Sequence, residues 1–153
     1  MTVSKRMVLI VAFLASVVLL SALVVGCGDD QEDLALVGTK WVMTTYAVTG
    51  AMKDALPTPT VDATFAAPKD GAGDVSGSGG INQYSGRYTV DGDKLTVGTI
   101  SSTRKAGAPA VMQQETDYLI ALQTAATYQI DGDTLTIRST SGVTVLTYVA
   151  AAT

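Results

Sequence analysis

The chain has 153 residues, with 10 lysines and arginines against 14 aspartates and glutamates, which gives a net charge of −4. An acidic chain without a basic patch is a poor ligand for a phosphate backbone, so we expect no nucleic-acid partner. Histidine is absent, which excludes Ser-His-Asp and Cys-His nucleophiles and histidine-based zinc or copper sites. The single cysteine excludes an internal disulfide.

The N-terminal segment has the organisation of a bacterial lipoprotein signal peptide. A short basic segment is followed by an apolar stretch at residues 7–25. Residues 24–27 (Val-Val-Gly-Cys) resemble a lipobox, in which the cysteine thiol receives a diacylglyceryl group before cleavage on its N-terminal side. We therefore predict that residues 1–26 are a lipoprotein signal peptide and that Cys27 is the lipidated N-terminus of the mature protein.

An uncleaved transmembrane anchor is the alternative, because the apolar stretch is long enough to span a bilayer. The position of the only cysteine, at the end of this stretch and after a glycine, favours the lipoprotein. In both cases the basic residues precede the apolar stretch, which places the C-terminal domain outside the cytoplasm. Two acyl chains anchor a protein stably. We expect a lipid-anchored protein of the cell membrane on the extracytoplasmic face, periplasmic or at the cell surface.

The mature chain is predicted to consist of a tether and one domain. Residues 27–37 form an acidic, flexible tether, because four of the six residues 28–33 are carboxylates that cannot bury apolar area. Residues 38–150 have the length of one domain with a core of its own. We expect this domain to be a monomer.

The first half of the domain shows the period-two pattern of strands. This pattern predicts strands at residues 40–48, 61–65 and 75–78. The sequence Leu-Pro-Thr-Pro at residues 56–59 indicates an extended, non-helical connection. Residues 68–73 are predicted to form a turn-rich loop.

Residues 88–97 and 128–137 form an internal repeat that is identical at six positions. Each copy carries Asp-Gly between alternating apolar residues, which is a strong hairpin signal, with positive φ expected at both turn positions. With Asp-Gly as the two-residue turn, Tyr88 faces Leu95 in the first copy. The Asp-Gly-Asp triplets also resemble fragments of calcium loops, but their strand-like flanks favour hairpin turns.

One helix is predicted, beginning at Pro109 and continuing to about residue 125. A last strand is predicted at residues 143–149. The sum is an α+β fold: a curved antiparallel sheet or partial β-barrel of about eight short strands, with one helix packed across it. Residues that fall near one face of the helix at helical spacing are Val111, Glu115, Tyr118, Leu119, Leu122 and Ala126.

The order and spacing of several segments resemble one known family. Gly-Thr-Lys-Trp at residues 38–41 opens the first strand. Three further segments follow: residues 75–88 are rich in glycine, residues 95–98 have the pattern of a strand, and residues 103–107 contain two basic residues. The most specific part is Asn-x-Tyr-x-Gly-x-Tyr at residues 82–88. This arrangement resembles the META domain, also called the HslJ-like family, over nearly the whole mature domain.

The resemblance implies a small envelope or secreted domain, linked in some members to stress tolerance, motility or secretion. No enzyme activity is attached to the family in general. The resemblance gives a structural role to a set of motif residues: Trp41, Gly77, Gly80, Asn82, Tyr84, Gly86, Tyr88, Thr103 and Glu115. The chain departs from the family at two positions, since cysteine is usual at Ile81 and frequent at Gly107. Their joint absence fits a structural pair lost as a unit and argues against a thiol role.

Glu115 is the one carboxylate on an otherwise apolar helical face. We expect it to cap backbone N–H groups or to pair with Arg87 or Arg104. A general-acid role would need a second carboxylate at a suitable distance. Residues 77–80 are rich in glycine but lack the downstream Gly-Lys-Ser/Thr and the helix of a phosphate loop, so a bend with close backbone approach is favoured.

Together these observations predict a non-enzymatic, lipid-anchored envelope module. We expect it to bind another envelope protein or to serve in stress tolerance or secretion, without a metal or a cofactor. The alternative is a domain that binds a small hydrophobic ligand in the interior or mouth of the barrel. An enzyme is the third hypothesis, and it would require two carboxylates that converge in a cleft.

Overall fold

The computed structural model describes residues 35–152 of the chain. This part contains nine strands and one helix. In chain order they are β1 Lys40–Val48, β2 Ala51–Asp54, β3 Asp62–Phe65, β4 Ala72–Ser78, β5 Gln83–Asp91, β6 Lys94–Ser102, α1 Pro109–Gln123, β7 Ala125–Asp131, β8 Thr134–Ser139 and β9 Thr144–Ala150.

All the strand pairs are antiparallel, and the sheet closes on itself. The strand order is β2-β1-β3-β4-β5-β6-β7-β8-β9, and β1 also pairs with β9. Eight strands therefore form a barrel, while β2 is an extra strand that lies beside the far part of β1. This architecture confirms the predicted α+β class with a partial barrel and one helix.

The barrel is weakest between β6 and β7, where only Lys94 and Thr127 are paired as strand residues. Beyond this point the two strands diverge, and α1 lies against β1, β6 and β9. A helix that covers an unpaired strand edge protects it from pairing with another chain. We therefore describe α1 as the element that completes the barrel wall.

The barrel interior is filled by large apolar and aromatic side chains. Trp41, at the start of β1, is fully buried and donates its indole N–H to the carbonyl of Leu36 at 3.1 Å. The rings of Phe65 and Tyr88 meet edge to face, with centroids 5.2 Å apart. The other fully buried large side chains are Tyr118, Tyr148, Leu95, Leu122, Leu135, Ile137, Leu146, Gln114 and Val61.

Because neighbouring strands alternate in direction, the loops gather at two ends of the barrel. We call the first the turn end: it holds the turns after β5 and β7, the loop at residues 66–71 and the entry of the chain at Ala35. We call the second the helix end: it holds the β1–β2 turn, the turn at residues 79–82, the loop at residues 103–108 and the start of α1.

The two repeated hairpins form as predicted, but the predicted register was wrong by two residues. In the first copy Asp91 pairs with Lys94 and Tyr88 with Val97, so the turn consists of Gly92 and Asp93. The second copy has the same register. Only the glycine of each turn has a positive φ, 59° and 58°, which fits a type II′ turn with glycine first instead of the expected type I′ turn.

Three other differences concern element boundaries. Strand β2 was not predicted, because all four of its residues are exposed and show no period-two pattern. It follows a tight turn in which Thr49 and Gly50 have positive φ values. Strand β4 begins at Ala72, inside the predicted loop, since the ring of Tyr88 covers Gly73. The helix ends at Gln123, so Ala126 lies on β7 instead of on the helical face.

The predicted signal peptide, Cys27 and most of the predicted tether lie outside the described residues. The last three tether residues, 35–37, are described, and they lie against the barrel: Leu36 is 5% exposed, and Val37 forms a β-bridge with Phe65. Within residues 35–152, no helix is long and apolar enough to cross a membrane.

Candidate functional site

At the helix end, three segments that are distant in sequence meet at one carboxylate. Glu115, in the second turn of α1, is only 8% exposed. Its Oε2 accepts hydrogen bonds from the backbone N–H groups of Ile81 at 3.1 Å and Asn82 at 2.7 Å. Its Oε1 accepts one from the Asn82 side-chain amide at 2.6 Å. The carboxylate therefore caps the turn at residues 79–82 from below.

Asn82 joins this turn to the loop at residues 103–108. Its side-chain oxygen accepts from the Thr103 hydroxyl at 2.8 Å and from the Lys105 N–H at 2.7 Å. Its Nδ2 donates to the Lys105 carbonyl at 3.3 Å as well as to Glu115. Every side-chain hydrogen-bonding direction of Asn82 is thus used within the protein, which is what a buried amide requires.

Two glycines allow the turn to approach the carboxylate. A β-carbon on Gly79 would lie 2.6–2.9 Å from three side-chain atoms of Glu115, so only glycine fits without displacing the carboxylate. Gly80 has φ +114°, which L-residues rarely adopt. A β-carbon on Gly77 would overlap the backbone of Asp62 on the neighbouring strand. These contacts explain the glycine-rich segment as a bend of close backbone approach.

Behind Glu115, three buried tyrosines form a chain of hydroxyl groups. Tyr84 donates to the carbonyl of Asp62 at 3.0 Å. Since that uses its only proton, Tyr118 must donate to Tyr84 across their 2.6 Å contact, and Tyr148 donates to Tyr118 at 3.4 Å. The chain therefore runs in one direction and ends at a strand carbonyl.

Burial raises the pKa of each of these three tyrosines well above the usual value of 10.0. Desolvation of the phenolate is the main cause in every case, and the neighbouring tyrosines add to it for Tyr118. The three hydroxyls therefore stay neutral at physiological pH and serve as hydrogen-bonding groups of the core.

The motif residues predicted from the sequence fall into two groups. Asn82, Thr103 and Glu115 meet at the helix end, together with Gly80, and Tyr84 lies just behind them. Trp41 and Tyr88 belong to the core instead, and the Tyr88 hydroxyl donates to the carbonyl of Ala66 at the turn end. Gly86 lies at an irregularity between β5 and β6, where a β-carbon would meet Ile100 at 3.1 Å.

Gln114 is a buried polar residue of the helix end that the sequence analysis did not identify. It is 1% exposed, and its Oε1 accepts from the backbone N–H of Leu56 at 2.7 Å, which holds the loop at residues 55–61 against α1. Its Nε2 has no partner among the described residues. Its spacing of four from Tyr118 is the signal that places it on the buried face.

The two positions at which the family usually carries cysteines are in contact. A β-carbon on Gly107 would lie 2.8 Å from Cγ1 and 3.4 Å from Cγ2 of Ile81. These distances put the two β-carbons about 3.4–4.3 Å apart, within the range found in disulfides. In this chain the Ile81 side chain fills the space beside the glycine, which agrees with a structural pair lost as a unit.

Glu115 makes the backbone contacts that were expected as one of two alternatives. Among the described residues it has no ion pair with Arg87 or Arg104; Arg87 instead lies 3.3 Å from Asp74, and both are exposed. The N–H groups of the glycine-rich turn are bonded to this internal carboxylate. Residues 35–152 contain no group of three His, Cys, Asp or Glu side chains that could hold a metal ion.

One concavity lies on the outer surface of the barrel. It has a volume of about 540 Å³ and is lined by hydroxyl, amide and glycine residues of β3 to β6, among them Ser76, Gln83, Ser85 and Ser101. The interior, in contrast, is occupied by the fully buried side chains of the core. A hydrophobic ligand inside the barrel would have to displace them, so the geometry does not favour the interior as a ligand site.

The META domain family model matches residues 33–152. No curated protein matched the chain. Among solved structures, an NMR structure of a protein from Burkholderia xenovorans is similar, with 26% identity and a TM-score of 0.60 over 77% of this chain and 85% of that chain. A second NMR structure shares the fold, with 20% identity and a TM-score of 0.52 over 72% and 87% of the two chains.

The family match begins just before the first described residue and ends at the last one, so it includes the whole barrel, the helix and the Asn82–Glu115 contact. It spans well over half of the sequence. The chain therefore belongs to the META domain family.

Proposed function

We propose that this chain is a lipid-anchored protein of the cell envelope whose META domain binds another envelope protein and catalyses no reaction. The anchor is the diacylglyceryl group on Cys27, and the domain lies on the extracytoplasmic face. A role in envelope stress tolerance or secretion is part of this proposal.

The binding part of the proposal depends on one observation: the polar side chains of the family motif at the helix end already form their hydrogen bonds within the protein. The carboxylate of Glu115 accepts three hydrogen bonds from Ile81 and Asn82, and Asn82 is saturated by Glu115, Thr103 and Lys105. A general acid or base needs a free lone pair or proton directed at a substrate. Side chains whose hydrogen bonds are all internal hold the fold rigid. This favours a domain that binds a partner protein through its outer surface.

The anchor is tested by the intact mass and detergent partitioning of the membrane-extracted protein, compared with Cys27→Ala. We expect a mass equal to residues 27–153 plus a diacylglyceryl group, and loss of both the lipid mass and the detergent-phase partitioning in the variant. A full-length mass that the substitution leaves unchanged would mean that residues 7–25 remain as a membrane span.

The binding role is tested by affinity capture with the full-length protein extracted from membranes in mild detergent. The same extraction with Glu115→Ala, which should loosen the helix end, is the comparison. Repeated recovery of one envelope protein that is reduced in the variant supports the proposal. Repeated capture without any envelope protein would remove its basis.

A further inference from the structure

The outer face of α1 has an unusual composition for the solvent side of a surface helix. Such faces are normally rich in charged residues. The only charged residues of α1 are Glu115, which is buried, and Asp117, which is half-buried and accepts from Gln113 at 3.0 Å. The helix contains no lysine or arginine. Its solvent side therefore carries no positive charge, and its one partly exposed negative charge is Asp117, at the edge of that side.

Within this side, one stripe has the spacing of a helix-packing surface. Its successive members are four, four and three residues apart, the spacing with which one helix packs against another: Met112, Thr116, Ile120 and Gln123. Met112 is 41% and Ile120 58% exposed, and both are large apolar side chains. This stripe lies on the side opposite the buried stripe of Gln114, Tyr118 and Leu122.

The two polar members of the stripe direct their donors towards their own helix. The Thr116 hydroxyl donates to the carbonyl of Met112 at 2.9 Å, and the Gln123 amide donates to the carbonyl of Leu119 at 3.1 Å. Each of these side chains thereby uses one donor within the helix, which leaves fewer donors for solvent on this side.

Two cations lie at one end of the stripe. Arg104 and Lys105 are exposed, and the backbone of Lys105 is held in place by two hydrogen bonds with Asn82. The loop that carries them touches the stripe, because the N–H of Gly107 contacts the sulfur of Met112 at 3.4 Å. Two positive charges beside an apolar stripe favour an acidic partner over a basic one.

We propose that this stripe docks an amphipathic helix of a partner protein. The apolar side chains of that helix cover Met112 and Ile120, and its carboxylates lie against the cations of the loop at residues 103–108. The proposal names the surface and the partner chemistry for the binding role proposed above, and it rests on that role.

The test uses the membrane-extracted protein in phosphatidylcholine nanodiscs and three fluorescent peptides of about five helical turns. The first has leucine at the packing positions and glutamate elsewhere, the second has lysine in place of glutamate, and the third has the acidic composition in scrambled order. Fluorescence anisotropy measures the dissociation constants. We expect the acidic amphipathic peptide to bind at least about tenfold more tightly than the other two.

Variants locate the binding surface. Ile120→Asp should weaken binding of the acidic peptide about tenfold or more, and Arg104→Glu with Lys105→Glu should reverse the preference between acidic and basic peptides. The matched control is Val143→Asp, which changes another exposed apolar residue, 51% exposed, outside the stripe, and should have no effect. Circular dichroism of each variant checks that the fold is retained.

Equal binding of the ordered and scrambled acidic peptides, or binding that Ile120→Asp leaves unchanged, would overturn the proposal. A concentration-dependent dimer that Ile120→Asp abolishes would also overturn it, because the occupant would then be a second copy of the chain. These outcomes are independent of the anchor: the mass of the extracted protein reports on Cys27, whereas peptide binding reports only on the stripe.

Discussion

The two ends of the barrel are built in different ways. At the turn end, the chain reverses through short local turns, in which Gly92 and Gly132 supply the positive φ and the next strand begins two residues later. At the helix end, the segments at residues 79–82 and 103–105 have no such regular turn. They are held by the side chains of Asn82 and Glu115, which lie 33 residues apart in sequence.

This difference shows that the two repeated hairpin turns are determined by local sequence, whereas the segments at residues 79–82 and 103–105 depend on long-range contacts. A local turn forms with its own few residues, and its neighbours change little if it is altered. A network of buried polar groups depends on every member, since removing one leaves the others unpaired in a poorly solvated site. Substitutions at the helix end should therefore cost more than comparable ones at the turn end.

The largest effect is expected for Glu115→Ala. It leaves two backbone N–H groups and the Asn82 amide without their acceptor, so the free energy of unfolding should fall by about 3–5 kcal/mol. Urea denaturation measures the change. Formate or acetate in the buffer should restore part of the loss, because a small carboxylate fits the vacated space, and Asp117→Ala on the same helix is the control. An unchanged urea midpoint for Glu115→Ala would show that this carboxylate does not stabilise the fold.

The second effect is alkaline destabilisation by the tyrosine chain. The folded-state pKa values of Tyr84, Tyr118 and Tyr148 are raised, while the unfolded chain titrates near 10.0. Above pH 10 the unfolded state therefore loses protons that the folded state keeps, and stability decreases as the pH rises. Each tyrosine contributes a decrease of about 1.4 kcal/mol in total between pH 9 and pH 11, because the unfolded side chain is only half ionised at pH 10.

Urea denaturation at intervals between pH 9 and pH 11 measures this slope, and absorbance at the phenolate band reports the ionisation itself. Tyr118→Phe removes one titrating group and should reduce the slope by about one fifth to one third, since burial also raises the pKa of Tyr46 and Tyr88. The stability contributed by these groups is fully present below pH 10. A slope that is the same in Tyr118→Phe and in the parent protein would contradict the assignment.

The third test compares one glycine from each end. Gly79→Ala must displace the Glu115 side chain and should cost about 2–3 kcal/mol. Gly92→Ala meets no atom within 4 Å and should cost only about 1–2 kcal/mol, for its positive φ. The same two substitutions are then made in the Glu115→Ala variant. There Gly79→Ala should lower the free energy of unfolding much less than in the parent protein, whereas the effect of Gly92→Ala should be unchanged. If the two substitutions lowered the stability equally in both the parent protein and the Glu115→Ala variant, the proposed difference between the two ends would be wrong.

The smallest effect is a gain. Ile81→Cys with Gly107→Cys should form a disulfide across the helix end and stabilise the fold by about 1–2 kcal/mol, after the lost packing of Ile81 is subtracted from the effect of closing the loop. Mass spectrometry detects the bond, and denaturation with and without reductant measures its effect. Gly107→Cys alone should be destabilising. Free thiols in the oxidised double variant would show that the two positions are too far apart.

The same division explains which features the sequence predicted. The hairpins, the start of α1 at Pro109 and the bounds of β1 follow from turn residues and period-two patterns, which act within a few positions. The register of the hairpins was missed because Asp-Gly was assigned to a type I′ turn, whereas the type II′ turn places Gly92 first and includes Asp93. Composition alone does not distinguish these two turns.

The site was predicted only in outline. Glu115 stood out as a carboxylate on an apolar face, and its backbone contacts were one of two expectations. Its partner Asn82 was identified through the family resemblance, because nothing in local sequence joins residues 33 positions apart. Gln114 was missed because a glutamine on a helix usually faces solvent. Its burial results from the loop at residues 55–61, in which the N–H of Leu56 donates to the Gln114 side-chain oxygen.

The beginning and the end of the domain lie side by side at the turn end, since the N–H of Ala151 donates to the carbonyl of Lys40 at 2.8 Å. Any segment added before Ala35 or after Ala151 therefore leaves the barrel at the turn end. A purification tag or reporter fused to either side keeps clear of α1, and a short linker between the two sides permits circular permutation. New chain ends opened in the β1–β2 turn would then point in the opposite direction, beside the helix.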